Sequence, residues 1–199
     1  YELSCSLVGS EMCIRDRTGY RPNLLARNLA TSKSQNIGLV VTNTLYNGPY
    51  FSELLFQAAT LTEQHGRQLL LADGKHDARQ ERQAIEFLLD LRCDAIIIYP
   101  RFLNTIELDE IIEKTHKPII VVNRQLEKHP EHCVIAAHEQ NTFDAVNYLV
   151  SRGHRDIAFI SGSPDSPTGN SRLNGYTQAL RAHHIAFNAQ RLAQGSWSL

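Results

Sequence analysis

From residue 36 onward, short unbroken apolar runs alternate with longer windows in which apolar side chains recur every three or four positions. The runs lie at 37–41, 68–72, 95–99, 119–122, 134–137 and 157–160, with a further one near 192–195. Most lack polar alternation, the pattern of strands covered on both faces of a parallel sheet. Between them, Leu54, Leu55, Ala58 and Leu61 form one helical stripe, with Ser52 as the expected cap and Gly66 placed to stop it. Asp77 is placed to open a second helix carrying Ala84, Ile85, Leu88 and Leu89. Further helices are expected at about 107–115, ending before Pro118, at about 141–151 and at about 172–183. Alternation of this kind defines βαβ units, so the expected fold class is α/β, with two Rossmann-like parallel-sheet subdomains joined through the polar stretch 123–133. Three or so strands remain for the second sheet, which is therefore expected to be incomplete.

Composition narrows the class. The 199 residues are 42% hydrophobic and 21% charged, which suits a globular chain able to bury a core. No apolar stretch approaches the roughly 18 residues a bilayer span needs, so no membrane partner is expected. The formal net charge is -1, and any attraction for nucleic acid has to be local. Cys5, Cys13, Cys93 and Cys133 form no CxxC pair, which fits a reducing cytoplasm and argues against a zinc site or a disulfide framework. Among the histidines, His129 with His132, and His183 beside His184, have no carboxylate or thiolate at matching spacing, so no metal site is expected.

Ligands of open α/β sheets bind outside the carboxyl ends of the strands. The loops expected there are rich in aromatic and hydrogen-bonding side chains, the combination that meets both the C–H faces and the hydroxyls of a polyol. No cofactor is expected, because neither GxGxxG nor GxxxxGK[ST] follows the first strand. Nor is an enzyme. No GxSxG elbow appears, Ser161-Gly162-Ser163-Pro164 has no evident base, and Asp73 is a single acid on the ligand side where glycoside hydrolysis uses two. The segment 17–52 contains no acidic residue and carries Arg17, Arg21, Arg27 and Lys33, a local patch suited to phosphates. Its helical window at 23–31 is too short to persist in water alone.

Several motifs then carry a resemblance. Tyr20-Arg21-Pro22-Asn23, Ala26-Arg27, Leu29 and Ser34 precede Ile37-Gly38-Leu39-Val40, and Cys93-Asp94-Ala95, Lys117-Pro118-Ile119, the run 152–162 (RGHRDIAFISG) and Thr168-Gly169 with Arg172-Leu173-Asn174-Gly175-Tyr176 follow. Together they resemble the lactose/galactose repressor family of bacterial transcription factors over residues 18–199. The resemblance implies a periplasmic-binding-protein-like core that forms a homodimer and clamps a small sugar or glycoside, an aryl-β-glucoside in particular. Within the cleft it implies that Phe51 and Trp197 stack on the sugar while Asp73, Asn123, Thr168 and Arg172 bond its hydroxyls, with Arg172 at a helix start. For operator DNA it implies a hinge helix, with Tyr20, Asn23, Arg27 and Leu29 at the minor groove and Leu29 wedged between base steps.

The expected organisation follows from this. Residues 1–17 are a non-native segment, since 6–17 resembles translated sequencing-adaptor read-through. Residues 18–35 are the hinge helix and linker, with the helix-turn-helix missing. Residues 36–133 form the N-terminal effector-binding subdomain and 134–199 a partial C-terminal one. The rival with the same core is a periplasmic-type sugar-binding protein of a transporter, which would carry a secretory signal and no basic hinge.

Overall fold

The computed structural model describes residues 33–43, 48–164 and 166–195. The segment expected to be non-native, the DNA-side residues Tyr20, Asn23, Arg27 and Leu29, and the sugar-side Trp197 lie outside the described residues. Strands β1 (Asn36–Val41), β2 (Gln68–Asp73), β3 (Ala95–Ile98), β4 (Ile119–Val122) and β5 (Cys133–Val134) form one sheet in the order β2-β1-β3-β4-β5. Strands β6 (Phe159–Ser161) and β7 (Leu192–Gln194) form a second. Every pairing is parallel. Helices α1 (Pro49–Gln64), α2 (Ala78–Asp90) and α3 (Thr105–Lys114) connect the first four strands, and α4 (His138–Ser151) and α5 (Pro167–Ala182) flank β6. No helix among the described residues is long and apolar enough to cross a membrane.

The unbroken apolar runs do cover both faces. Leu39 and Val41 of β1 pack with Phe51, Leu54, Leu55 and Ala58 of α1. Val40, one residue out of phase, joins Ile85 and Leu88 of α2 and Leu108 and Ile112 of α3 on the other side. Two-residue periodicity thus splits a single strand between two cores. Gly38 lets α2 come close, because a Cβ there would lie 2.8 Å from Leu88 Cδ1. A smaller core gathers Val146, Val150, Tyr176, Ala179 and Leu180 between α4 and α5.

Element starts differ from expectation, since periodicity marks the apolar stripe and not the cap. Helix α1 begins at Pro49 with Gly48 as N-cap, and Ser52 bonds back to the Gly48 carbonyl from inside the first turn. Helix α3 begins at a capping box of Asn104 and Glu107. Helix α4 starts at His138, and α5 starts at Pro167 behind the Ser166 cap, so Arg172 sits in the second turn instead of the first. The run at 134–137 contributes only Val134, which with Cys133 pairs to β4 in the first sheet. The second sheet is left with two strands among the described residues.

Asp94 ties the entry of the chain to this framework. Its carboxylate accepts from the backbone N–H groups of Ser34 (2.9 Å) and Gln35 (3.1 Å) and from Arg67 (3.1 Å). Burial pushes the Asp94 carboxyl up, but those N–H groups, with Lys117 and Arg67, outweigh it and hold the group below its ordinary range. A carboxylate favoured in the folded state contributes stability at pH values above the ordinary range and loses it as pH falls through the lowered value. Asp94→Asn is expected to cost about 1–2 kcal/mol at neutral pH and to flatten the acid limb of the stability curve, read by urea unfolding across pH.

Candidate functional site

In the order β2-β1-β3-β4-β5 the chain reverses its direction of travel between β1 and β3, and a crevice opens there at the carboxyl ends. An aromatic group occupies that position. Phe51 of α1 meets Tyr99, the residue after β3, edge to face at 4.7 Å, and Tyr50 at 5.1 Å. Phe51 is 8% exposed and belongs to the α1 core, whereas Tyr50 beside it is 53% exposed. Because α1 starts earlier than expected, Phe51 turns inward and Tyr50 presents the accessible ring.

From Tyr99 a line of hydrogen bonds runs out of the first subdomain. The Asn123 side-chain amide, just after β4, donates to the Tyr99 hydroxyl (3.1 Å). Its oxygen is 3.3 Å from His138 Nε2, and His138 Nδ1 is 3.3 Å from an Arg172 guanidinium nitrogen. Chemistry assigns every proton here. Arginine can only donate, so His138 Nδ1 accepts and the imidazole is neutral with its proton on Nε2, which donates to Asn123 Oδ1. Burial, and then the Arg172 charge, push the His138 pKa below its ordinary value, in agreement with the neutral form. Burial and Tyr99 hold the Tyr50 phenol above its ordinary value, against the opposing pull of Asn123 and Arg172.

Asn123 is built for its place. Its φ of 58° lies in the left-handed region, which asparagine tolerates better than most residues, and its N–H bonds the Val134 carbonyl (2.8 Å). One residue therefore closes the first sheet and points its amide at both Tyr99 and His138.

Beside this line lies a cavity of about 630 Å³ lined by Asn123, His138, Phe143, Thr168, Ser171 and Gln178 among others. The expected site residues are distributed as follows. Phe51, Asn123 and Arg172 fall along one line through Tyr99 and His138, and Thr168 lines the adjoining cavity. Asp73 is taken up by the loop after β1, accepting from the Asn43 backbone (2.9 Å), the Asn43 amide (2.8 Å) and the Lys75 N–H (2.9 Å). Tyr50, Tyr99 and His138 join this candidate site, and sequence reasoning did not single them out. Of the histidine pairs, His183 bonds Asn147 Oδ1 (2.7 Å) and links two helices. His129 and His132 are different: Glu131 sits between them and supplies the carboxylate that linear spacing did not reveal.

A doubly wound sheet whose carboxyl edge faces a second α/β unit across a polar crevice is the architecture of small-ligand clamps. Residues 34–198 match the model of the periplasmic binding proteins and sugar binding domain of LacI family, and the chain belongs to that family. It is 58% identical over 183 residues to the HTH-type transcriptional regulator AscG of Escherichia coli (strain K12), covering 92% of this chain and 54% of AscG. The crystal structure of the E. coli transcriptional repressor ascG superposes with a TM-score of 0.77, over 82% of this chain and 60% of that one. A structure of the lac repressor dimer bound to operator and the anti-inducer ONPF has a TM-score of 0.81 at 22% identity, covering all of this chain and 59% of that one, a likeness of fold. The chain spans about half the length of the curated relatives it matches.

Proposed function

We propose that this chain is the effector-binding core of a sugar-responsive, DNA-binding transcriptional repressor, and that its effector is a β-glucoside. The observation that carries the reading is the continuous line from Tyr99 through Asn123 and His138 to Arg172, which joins the two sheets at their carboxyl side. A glycoside bound there meets an accessible tyrosine ring, amide and guanidinium donors, and the neighbouring Thr168. Residues 1–17 play no part in this reading; 18–35 act as hinge and linker, and the units 36–133 and 134–199 act as the two jaws. Binding closes the jaws on each other. In the homodimer that movement repositions the basic arm holding Tyr20, Asn23, Arg27 and Leu29, so that operator and glycoside affinities are coupled by one free energy. The acid-free segment 17–52 favours this over a transporter's periplasmic sugar-binding protein, and the reading is of a cytoplasmic regulator, not an enzyme.

The test is direct binding of aryl-β-glucosides to the chain by calorimetry. Saturable binding is expected, and Arg172→Ala should weaken it about tenfold to a hundredfold, the worth of one to two charge-assisted hydrogen bonds. Failure of the parent chain to bind any glycoside, or an unchanged affinity in the variant, retires the effector assignment.

A further inference from the structure

On the opposite end of the first sheet, away from Tyr99 and Asn123, lies a second cluster of chemistry that the effector reading does not use. We propose that His129, Glu131 and His132 bind one divalent transition-metal ion, for which Zn²⁺ is the natural probe.

The backbone brings the groups together. Pro130–His132 is a single turn of 3-10 helix with His129 as its N-cap. Three residues per turn make positions i and i+3 eclipse, so His129 and His132 stand one above the other, their ring centroids 5.6 Å apart. Glu131 Oε1 reaches between them, 3.4 Å from His129 Nδ1 and 3.7 Å from His132 Nε2. All three ligand atoms lie within 4.8 Å of one another. A tetrahedral zinc with bonds of about 2.0–2.1 Å sets neighbouring ligand atoms roughly 3.4 Å apart, so two of the three edges are close to length already.

The outer ring nitrogens complete the case. His132 Nδ1 is 2.6 Å from the Ile119 carbonyl, which can only accept, so Nδ1 carries a proton and Nε2 keeps its lone pair for the cluster. His129 Nε2 is buried without a hydrogen-bond partner among the described residues, and the nearest acid is Glu113 Oε1 at 3.8 Å. Without an ion, His129 Nδ1 donates to Glu131 Oε1 (3.4 Å); a bound ion takes the Nδ1 lone pair and moves that proton to Nε2, on the side of Glu113. His132 thus backs onto a carbonyl oxygen while its other nitrogen faces the shared carboxylate, the arrangement that orients imidazole ligands in metal sites. The His132 Nε2 lone pair faces the same carboxylate at 3.7 Å with no proton between them, a repulsion that a cation among the three groups removes. A proton satisfies one of these pairings, whereas a divalent ion satisfies all three.

Lys128, 3.0 Å from Glu113, places a positive charge near the outer shell and limits the affinity. Cys133 is turned elsewhere, accepting from the Leu126 N–H (3.3 Å) and donating to the His129 carbonyl (3.5 Å), so the ligand set is nitrogen and oxygen with water in the remaining position. The site joins the last turn of α3, through Glu113, to the start of β4, through Ile119, and a bound ion would pin the crossing that leads to β5.

The experiment uses the whole chain with Cys5 and Cys13 replaced by serine, so that those thiols do not bind the probe. Titration with Co²⁺ should give the visible absorption of a low-symmetry nitrogen and oxygen site at one equivalent, bleached by Zn²⁺. Glu131→Gln, at an exposed side chain whose partners are the two histidines, should weaken Zn²⁺ binding at least roughly tenfold without altering the far-ultraviolet dichroism. His132→Gln should abolish one-equivalent binding, and its possible effect on folding is separated by the Glu131 variant. Cys133→Ser should leave binding unchanged. Absence of saturable one-equivalent binding, parental affinity in Glu131→Gln, or loss of binding in Cys133→Ser overturns the assignment.

Discussion

Replacing Glu81 by alanine is expected to lower the unfolding free energy of the first subdomain by about 4 kcal/mol. Glu81 is fully buried in α2, and its carboxylate accepts three backbone N–H groups: Arg101 (2.8 Å), Phe102 (3.0 Å) and Leu103 (2.7 Å). These donors belong to the loop between β3 and α3, directly after Tyr99. Arg124 holds the same loop from the carbonyl side, with longer contacts to Leu103 (3.4 Å) and Pro100 (3.5 Å). Burial lowers the Arg124 pKa, and Glu81 is the first opposing charge that supports its ionised form. Alanine therefore orphans three donors, one buried and two half-buried, and strips a half-buried guanidinium of its counter-charge, and each loss adds to the cavity left by the side chain. Urea unfolding should show a lower midpoint at unchanged slope. A loss under about 1 kcal/mol would mean that water enters and satisfies the loop, and the clamp would then not be what holds Tyr99 in place.

Much of this architecture is legible in the chain, for a physical reason. Helices lie on both faces of the first sheet, only partly over the edge strand β2, where Leu71 is 44% exposed, so the apolar runs are uninterrupted and nearly coincide with the observed Asn36–Val41, Gln68–Asp73, Ala95–Ile98 and Ile119–Val122. Strand β5 is only two residues long and exists because Val121 and Val122 pair with Cys133 and Val134, a tertiary fact with no local signal. Helix starts shift because caps such as Gly48, Asn104 and Ser166 lie outside the apolar stripe.

The candidate site shows the same division. Asn123 and Arg172 are singled out by the family resemblance, while His138 gains meaning only through partners 15 and 34 residues away. Tyr99 reads as the last residue of a strand, and only the strand order places it at the point where chain direction reverses. The cap of α1 lies four residues earlier than Ser52, at Gly48, so Tyr50 and Phe51 are both helical and the rotation of about 100° per residue turns Phe51 to the core and Tyr50 to solvent. The approach of His129 and His132 has no linear signal, because i, i+3 spacing stacks two rings only where the backbone forms a 3-10 turn.

Adding a single methyl group at Gly175 should cost about 2–3 kcal/mol and loosen the effector site as well. A Cβ at this position would run into the Glu139 carbonyl oxygen and lie 3.0 Å from the Glu139 carbonyl carbon and 3.1 Å from the Phe143 nitrogen. Those obstacles are the backbone of α4, which cannot swing aside as a side chain can. Alanine gains about 1 kcal/mol over glycine in helix propensity, so the overpacking must exceed that gain for the net effect to be a loss. Relief comes only by moving α5 away from α4, which opens the core around Tyr176, 1% exposed and bonded through its hydroxyl to the Ile157 carbonyl (2.9 Å). One turn earlier on α5 stands Arg172, whose contact with His138 at the head of α4 must stretch by the same displacement. Gly175→Ala is therefore expected to fail twice, in thermal unfolding and in glycoside affinity, whereas Asn174→Ala, at the exposed neighbouring position, should change stability by less than about 0.5 kcal/mol. If Gly175→Ala proves as stable as its parent, the two helices are not held at backbone contact. The line from Asn123 to Arg172 would then owe its geometry to something other than their packing.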